Sequence, residues 1–190
     1  MKLEDCIVSI NQKLPDYFVK SFIKFIDYRA KKKMKVNIPE KDSSKNIINL
    51  TDRNVFGHTL SDTLISDIIY FKHVEKFSKN NFYFYQVKFP LCNVGLINQV
   101  DLLKYEVGGK YEKHIDHSLH SPRTLSCIIN LNENYEGGDL VFYTPDQKDI
   151  LKKIKCTTGT IIFFPSNFLY PHQIEPITKG TRYSIVTWIA

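Results

Sequence analysis

An imidazole and a carboxylate stand two residues apart in the run Tyr111-Glu112-Lys113-His114-Ile115-Asp116. Side chains alternate between the faces of an extended strand, so His114 and Asp116 point the same way. A third donor of matching type, His172, comes 58 residues after His114, in Tyr170-Pro171-His172-Gln173-Ile174. Two imidazoles and one carboxylate on one face of an octahedron are the facial triad of non-haem Fe(II), which leaves three positions open for a co-substrate and oxygen. A histidine two before an aspartate is common by chance and alone reads as surface; the segment after His172 gives it meaning. Ten residues on begins Arg182-Tyr183-Ser184-Ile185-Val186-Thr187-Trp188, where Arg182, Ser184, Val186 and Trp188 share one strand face. A guanidinium with a hydroxyl two residues away is set up to grip a carboxylate bidentately. An inward-facing arginine needs an anion, and an internal Asp or Glu would serve as well as a ligand; the three donors upstream favour the ligand.

These residues fall in the part of the chain that reads as strand. From about residue 81, short β-rich runs at 82–89, 96–105, 111–116, 124–131, 139–143, 160–164 and 182–189 are separated by turn chemistry such as Gly108-Gly109, Gly137-Gly138, Pro145-Asp146, Thr158-Gly159 and Lys179-Gly180. Several, including Cys127-Ile128-Ile129 and Ile161-Ile162-Phe163-Phe164, are apolar without alternation, the mark of strands covered on both faces. Cover is available from the N-terminal third. There, Phe18, Phe22, Phe25 and Ile26 follow Pro15-Asp16 at helical spacing, and Leu64, Ile65, Ile68, Ile69, Phe71, Val74 and Phe77 follow Ser61 as N-cap and Asp62 in the first turn. The expected class is α+β: a double β-sheet core over 81–190 with a helical support over 1–80. A chain of 190 residues accommodates this as one domain.

Hydrophobic residues at 43%, aromatic at 13% and charged at 24% exclude a disordered, collagenous or coiled-coil chain. A net charge of +6 invites a polyanion partner, but residues 1–80 hold 15 Lys and Arg against 10 Asp and Glu, while 81–190 hold 11 against 10. The excess is mostly the lysine run at 31–35, which has no interleaved aromatics and reads as a solvated helix C-terminus, so nucleic acid is disfavoured as a partner. No leader-like or membrane-spanning apolar stretch is present, which predicts a cytoplasmic protein with no membrane partner. Cys6, Cys92, Cys127 and Cys156 form no CxxC and read as free thiols. His117 and His120 lie in a Ser- and Pro-containing loop after the strand and read as exposed or substrate-facing, and His58 and His73 as surface or satisfied core histidines.

The stretch from Leu102 to the C-terminus resembles the Fe(II)- and 2-oxoglutarate-dependent dioxygenases, in particular the prolyl 4-hydroxylase branch and its bacterial PKHD-type relatives. The resemblance runs in order through Tyr105-Glu106-Val107-Gly108-Gly109-Lys110-Tyr111, His114-Ile115-Asp116, Arg123-Thr124-Leu125-Ser126, Leu131-Asn132 and Tyr135-Glu136-Gly137-Gly138-Asp139-Leu140. It continues through Gly159-Thr160, Phe164-Pro165-Ser166, Pro171-His172-Gln173-Ile174 and Thr181-Arg182-Tyr183-Ser184 to Trp188. It implies a double-stranded β-helix, or jelly roll, in agreement with the run-and-turn pattern. It implies that His114, Asp116 and His172 bind Fe(2+), and that Arg182, with Ser184, holds the distal carboxylate of 2-oxoglutarate. Tyr105 matches a co-substrate tyrosine, one residue nearer the HxD pair than in some relatives. Asn130 stands where some relatives have a tyrosine on the same carboxylate, and Leu140 and Trp188 would form pocket wall.

The resemblance further implies a hydroxylase that consumes 2-oxoglutarate and O2, releases succinate and CO2, and takes ascorbate as an accessory reductant. The metal and co-substrate carry the chemistry while the protein supplies position and a dry pocket. The family's halogenases lack the carboxylate found here at Asp116. The branch implies a prolyl site in a protein or peptide. A free amino acid or other small metabolite is the alternative. Nucleic-acid dealkylases of the superfamily carry a second arginine six residues after the first, where this chain has Trp188. A jelly-roll binding module without catalysis is the rival from another class, and the intact triad with Arg182 opposes it. The loops at 39–54 and 117–123 are expected to carry substrate specificity.

Overall fold

The computed structural model describes residues 1–34, 51–119 and 121–190. A 3-10 turn at Leu3–Cys6 leads into β1 (Val8–Asn11) and helix α1 (Asp16–Arg29). Strands β2 (Lys32–Lys33), β3 (Arg53–Asn54) and β4 (Phe56–Thr59) precede helix α2 (Ile65–Lys88). Then come β5 (Ile97–Tyr105), β6 (Lys110–His114), β7 (Leu125–Asn130), β8 (Tyr135–Gly137) and β9 (Leu140–Tyr143). The chain closes with β10 (Ile150–Ile154), β11 (Thr160–Pro165), β12 (His172–Ile174), β13 (Ile177–Gly180) and β14 (Arg182–Ile189).

Among the described residues the strands form a seven-stranded sheet in the order β1-β11-β7-β14-β5-β4-β2, a five-stranded sheet β10-β9-β12-β6-β3 and a small β13-β8 pair. All pairings are antiparallel. Each central strand of the larger sheet feeds two apolar clusters through its alternation. Leu125, Cys127, Ile129, Ile161, Phe163 and Ile185 face Phe22, Phe25 and Ile26 of α1 and Val74, Phe82 and Tyr85 of α2. On the other face, Leu103, Tyr105, Ile128, Ile162 and Phe164 meet Leu140, Phe142 and Ile174 of the smaller sheet. The non-alternating runs are thus covered on both sides, and the inner face of β14 carries Arg182, Ser184, Val186 and Trp188.

Several elements depart from the sequence reading. The run 82–89 is the C-terminal third of α2, and the expected boundary at residue 80 falls inside that helix. A strand would bury alternate residues here; instead Phe82 and Tyr85 are buried and pack against Phe163, while Tyr83, Phe84 and Val87 are exposed. The helix begins at Ile65. Ser61 does not cap it; its hydroxyl accepts the Thr63 N–H and its own N–H donates to Asp67. Leu64, Ile65, Ile68 and Ile69 are exposed, because the sheet-facing stripe of α2 runs through Asp67, Val74, Ser78, Asn81, Phe82 and Tyr85.

Asp67, fully buried, holds this stripe in place: its carboxylate accepts from Arg29, from His58 and from the Ser61 N–H. The lysine run is not a helix end, since α1 stops at Arg29 and Lys32–Lys33 form β2 against β4. The 1–80 region is not purely a support either: β1, β3 and β4 extend the two sheets. Within the expected loop at 39–54, residues 39–50 lie outside the described residues, and Arg53–Asn54 pair with β6 as strand.

Candidate active site

His114 ends β6 and His172 opens β12, and the antiparallel register sets the two directly opposite each other. Asp116 follows in the bend just beyond β6, where the sequence reading continues the strand to residue 116. One ligand atom each from His114, Asp116 and His172 lies within 4.8 Å of the others. His114 Nε2 is 3.6 Å from Asp116 Oδ1 and His172 Nε2 is 3.7 Å from Oδ2, too long for hydrogen bonds and spaced to share an ion. The other ring nitrogens are occupied. His114 Nδ1 donates to the Glu112 carbonyl at 2.8 Å and His172 Nδ1 to the Tyr170 carbonyl at 3.1 Å. A carbonyl only accepts, so each Nδ1 carries the proton and each Nε2 keeps its lone pair toward Asp116.

Electrostatics support the same state. Burial, reinforced by His114 and opposed by Asp116, pushes His172 down to about 4, so it is a neutral imidazole at neutral pH. Burial alone would raise the Asp116 carboxyl, but the His172 and His114 rings and the Ser126 hydroxyl outweigh it and hold the group well below the usual carboxylate range. Ser126 Oγ donates to Asp116 Oδ2 at 2.6 Å and is itself 2.8 Å from Ser166 Oγ. The Tyr111 ring stacks on His114 with centroids 3.5 Å apart, and the Arg53 guanidinium lies 4.5 Å from the Tyr111 ring centre.

The triad opens into a cleft whose walls also include Tyr105, Arg182, Ser184 and Trp188. Arg182 is buried, its Nε donating to Asn130 Oδ1 at 3.0 Å. Its Nη2 and the Ser184 hydroxyl, both buried, have no hydrogen-bond partner among the described residues. No internal carboxylate therefore satisfies Arg182 there, the alternative left open by the sequence. Unpaired buried donors are costly, and these two, in the wall of a cavity holding an N,N,O donor set, fit an incoming carboxylate beside a metal.

Tyr105 is buried, which raises its phenol, and its ring lies 5.3 Å from the Arg182 guanidinium carbon. Leu140 belongs to the core between the sheets and not to the cavity wall, whereas Trp188 lines it. His117 is not among the clustered donors; its Nδ1 hydrogen-bonds the backbone of Arg123 and shapes the loop. His120 lies outside the described residues. His73 is exposed and His58 is bonded to Asp67. The four cysteines are free, and burial pushes the Cys127 thiol up to about 12, far from nucleophilic use.

Sequence reasoning missed Ser126, Ser166, Tyr111 and Arg53. Ser126 had a signal, as the polar interruption of an apolar strand on the same face as Asn130. Arg53 had none, since a two-residue strand more than fifty residues upstream brings it in.

Residues 100–190 match the family model described as the 2OG-Fe(II) oxygenase superfamily. Its relatives there are PKHD-type and prolyl hydroxylases. A PKHD-type hydroxylase from Gloeothece citriformis (strain PCC 7424) is 35% identical over 92 residues, covering 45% of this chain and 40% of that protein. The chain spans about two-fifths of the length of the curated PKHD-type relatives it matches. Among solved structures, the fold is similar to a Trichoplax adhaerens prolyl hydroxylase in complex with a hypoxia inducible factor oxygen degradation domain peptide fragment. The TM-score is 0.72 at 17% identity, covering 97% of this chain and 83% of that one. A Pseudomonas putida prolyl-4-hydroxylase gives a TM-score of 0.69 at 16% identity, covering 98% and 96%.

Proposed function

We propose that the protein is an Fe(II)- and 2-oxoglutarate-dependent hydroxylase of prolyl 4-hydroxylase type, acting on a protein or peptide. The observation that carries this reading is one cavity holding the converged donors of His114, Asp116 and His172 together with the unpartnered Arg182 Nη2 and Ser184 hydroxyl. We infer the jelly roll from strand order: β5, β7, β11 and β14 lie in one sheet and β6, β9, β10 and β12 in the other, so the chain crosses repeatedly between layers.

His114, Asp116 and His172 would hold Fe(II). Bound there with 2-oxoglutarate and O2, the metal supplies oxidative decarboxylation to succinate and CO2 coupled to hydroxylation of a substrate C–H bond. The chain's own part is positional. The Glu112 and Tyr170 carbonyls fix both imidazole tautomers, Ser126 fixes the carboxylate, and Arg182 with Ser184 receives the far carboxylate of the co-substrate. Phe142 and Phe164, packed edge to face beside His172, exclude water from its buried side.

The peptide reading leans on the prolyl hydroxylase relatives, one of which has a peptide bound. The test is incubation of protein, Fe(II), 2-oxoglutarate and ascorbate with a cell lysate, with mass spectrometry of the peptides. Proline-containing peptides should gain about 16 Da, one oxygen atom. Oxygen gained only by free metabolites would contradict the protein-substrate reading and favour the small-molecule alternative.

A further inference from the structure

The Nε of Arg182 is held by Asn130, buried on β7 and paired with Ser184 in the β14 register. While its Oδ1 accepts from Arg182 Nε, its Nδ2 faces the carbonyls of Asn132 at 2.5 Å, Thr157 at 3.2 Å and Cys156 at 3.4 Å. Chemistry dictates this orientation. A guanidinium N–H only donates and a carbonyl only accepts, so the amide oxygen must face Arg182 and the nitrogen the carbonyls. The surrounding backbone is fixed in turn: the Gly159 N–H donates to the Asn130 carbonyl at 2.9 Å, and the Tyr135 hydroxyl donates to Cys156 O at 3.0 Å. Asparagine is the residue that satisfies both ends. Aspartate would set an oxygen against three carbonyls, and leucine would leave Nε buried and unpaired.

With Nε taken, the Nε–Nη2 fork of Arg182 is closed to a ligand. We propose, resting on the hydroxylase reading, that Asn130 is a positioning residue which pins this edge of Arg182, so that the far carboxylate of 2-oxoglutarate is met by Nη2 and the Ser184 hydroxyl. Asn130 acts through Arg182 and touches no reacting atom. A guanidinium pinned on one edge sets a single depth for the far carboxylate, so Asn130 also sets selectivity for keto-diacid length.

Trp188 is the chain's single tryptophan and lines the cavity, so its fluorescence reports occupancy. The full chain is titrated anaerobically, with Mn(II) in place of Fe(II), against 2-oxoglutarate, oxaloacetate and 2-oxoadipate. Asn130→Leu is expected to weaken 2-oxoglutarate binding about tenfold, the loss of one buried charge-assisted bond, and to narrow the preference over 2-oxoadipate. Mn(II) affinity should stay within about twofold of wild type, because the triad does not touch Asn130. Asn130→Asp, isosteric and still paired with Nε, is expected to weaken 2-oxoglutarate binding as well by neutralising Arg182.

Unchanged affinity and length preference in either folded variant would overturn the assignment. A parallel loss of Mn(II) affinity would also overturn it, by showing that Asn130 supports the whole cavity. A wild-type protein that binds none of the three keto acids would instead remove the hydroxylase reading and this assignment with it.

Discussion

Ser126 ties the fold to the Asp116 carboxylate of the candidate site through one hydroxyl. It is fully buried on β7, and its single proton goes to Asp116 Oδ2 at 2.6 Å, so at the 2.8 Å contact Ser166 must be the donor. The chain Ser166→Ser126→Asp116 fixes the carboxylate plane and leaves Oδ1 without a hydrogen bond among the described residues. A hydrogen bond to a buried charge is worth about 1.5–3 kcal/mol, and roughly 1.4 kcal/mol is tenfold in affinity. Ser126→Ala should therefore weaken Mn(II) or Fe(II) binding by about 10–100-fold, the range expected when a ligand loses its orienting partner. Ser166→Ala removes only the neutral bond behind it, worth about 1 kcal/mol, and should cost about fivefold or less. The assay is anaerobic titration with Mn(II), reading free metal by electron paramagnetic resonance, with thermal melts as control. Wild-type affinity in Ser126→Ala, or a larger effect from Ser166→Ala than from Ser126→Ala, would refute the reasoning.

The packing and the anchor give four further outcomes. Asp67→Asn leaves Arg29 and His58 without their buried carboxylate and should cost about 3 kcal/mol, or roughly 6–12 °C in Tm by differential scanning calorimetry. Burial opposes ionisation of Asp67, but the Ser61 N–H, His58 and Arg29 outweigh it and hold its carboxyl below the ordinary value. Its stabilisation is thus present above about pH 4 and lost as pH falls further, and urea melts of wild type and Asp67→Asn should converge in acid. Gly159→Ala places a Cβ 1.9 Å from the Gln12 carbonyl oxygen at a φ of +83°, and should lower stability by about 2 kcal/mol or more in urea melts. Arg182→Lys keeps the charge but loses the Nε donor to Asn130, and should raise the KM for 2-oxoglutarate far more than it lowers kcat in succinate assays.

The site was legible in the sequence to the extent that strand alternation and spacing define it. His114 with Asp116, and Arg182 with Ser184, Val186 and Trp188, are local patterns that survive any packing of their strands. The helical cover was harder to read. Phe82, Tyr83, Phe84 and Tyr85 carry high strand propensity, yet tertiary packing against Phe163 keeps them helical. The buried stripe of α2 includes Asp67, Ser78 and Asn81, polar residues buried with the apolar ones, so hydrophobicity pointed at the wrong face. Asn130 and Ser126 acquired their roles only when β7 was set between β11 and β14, a neighbourhood that spacing along the chain does not encode.

The most direct measurement is succinate formation against O2 consumption in purified protein given Fe(II) and 2-oxoglutarate in an ascorbate buffer, where ascorbate takes the oxidising equivalents of the second oxygen atom in place of the substrate. Equimolar succinate and O2, dependent on both additions and lost in His114→Ala and Asp116→Ala, is the expected result. No succinate above the level of free Fe(II), or wild-type turnover in His114→Ala, would contradict the assignment of this cavity as a 2-oxoglutarate-dependent iron site.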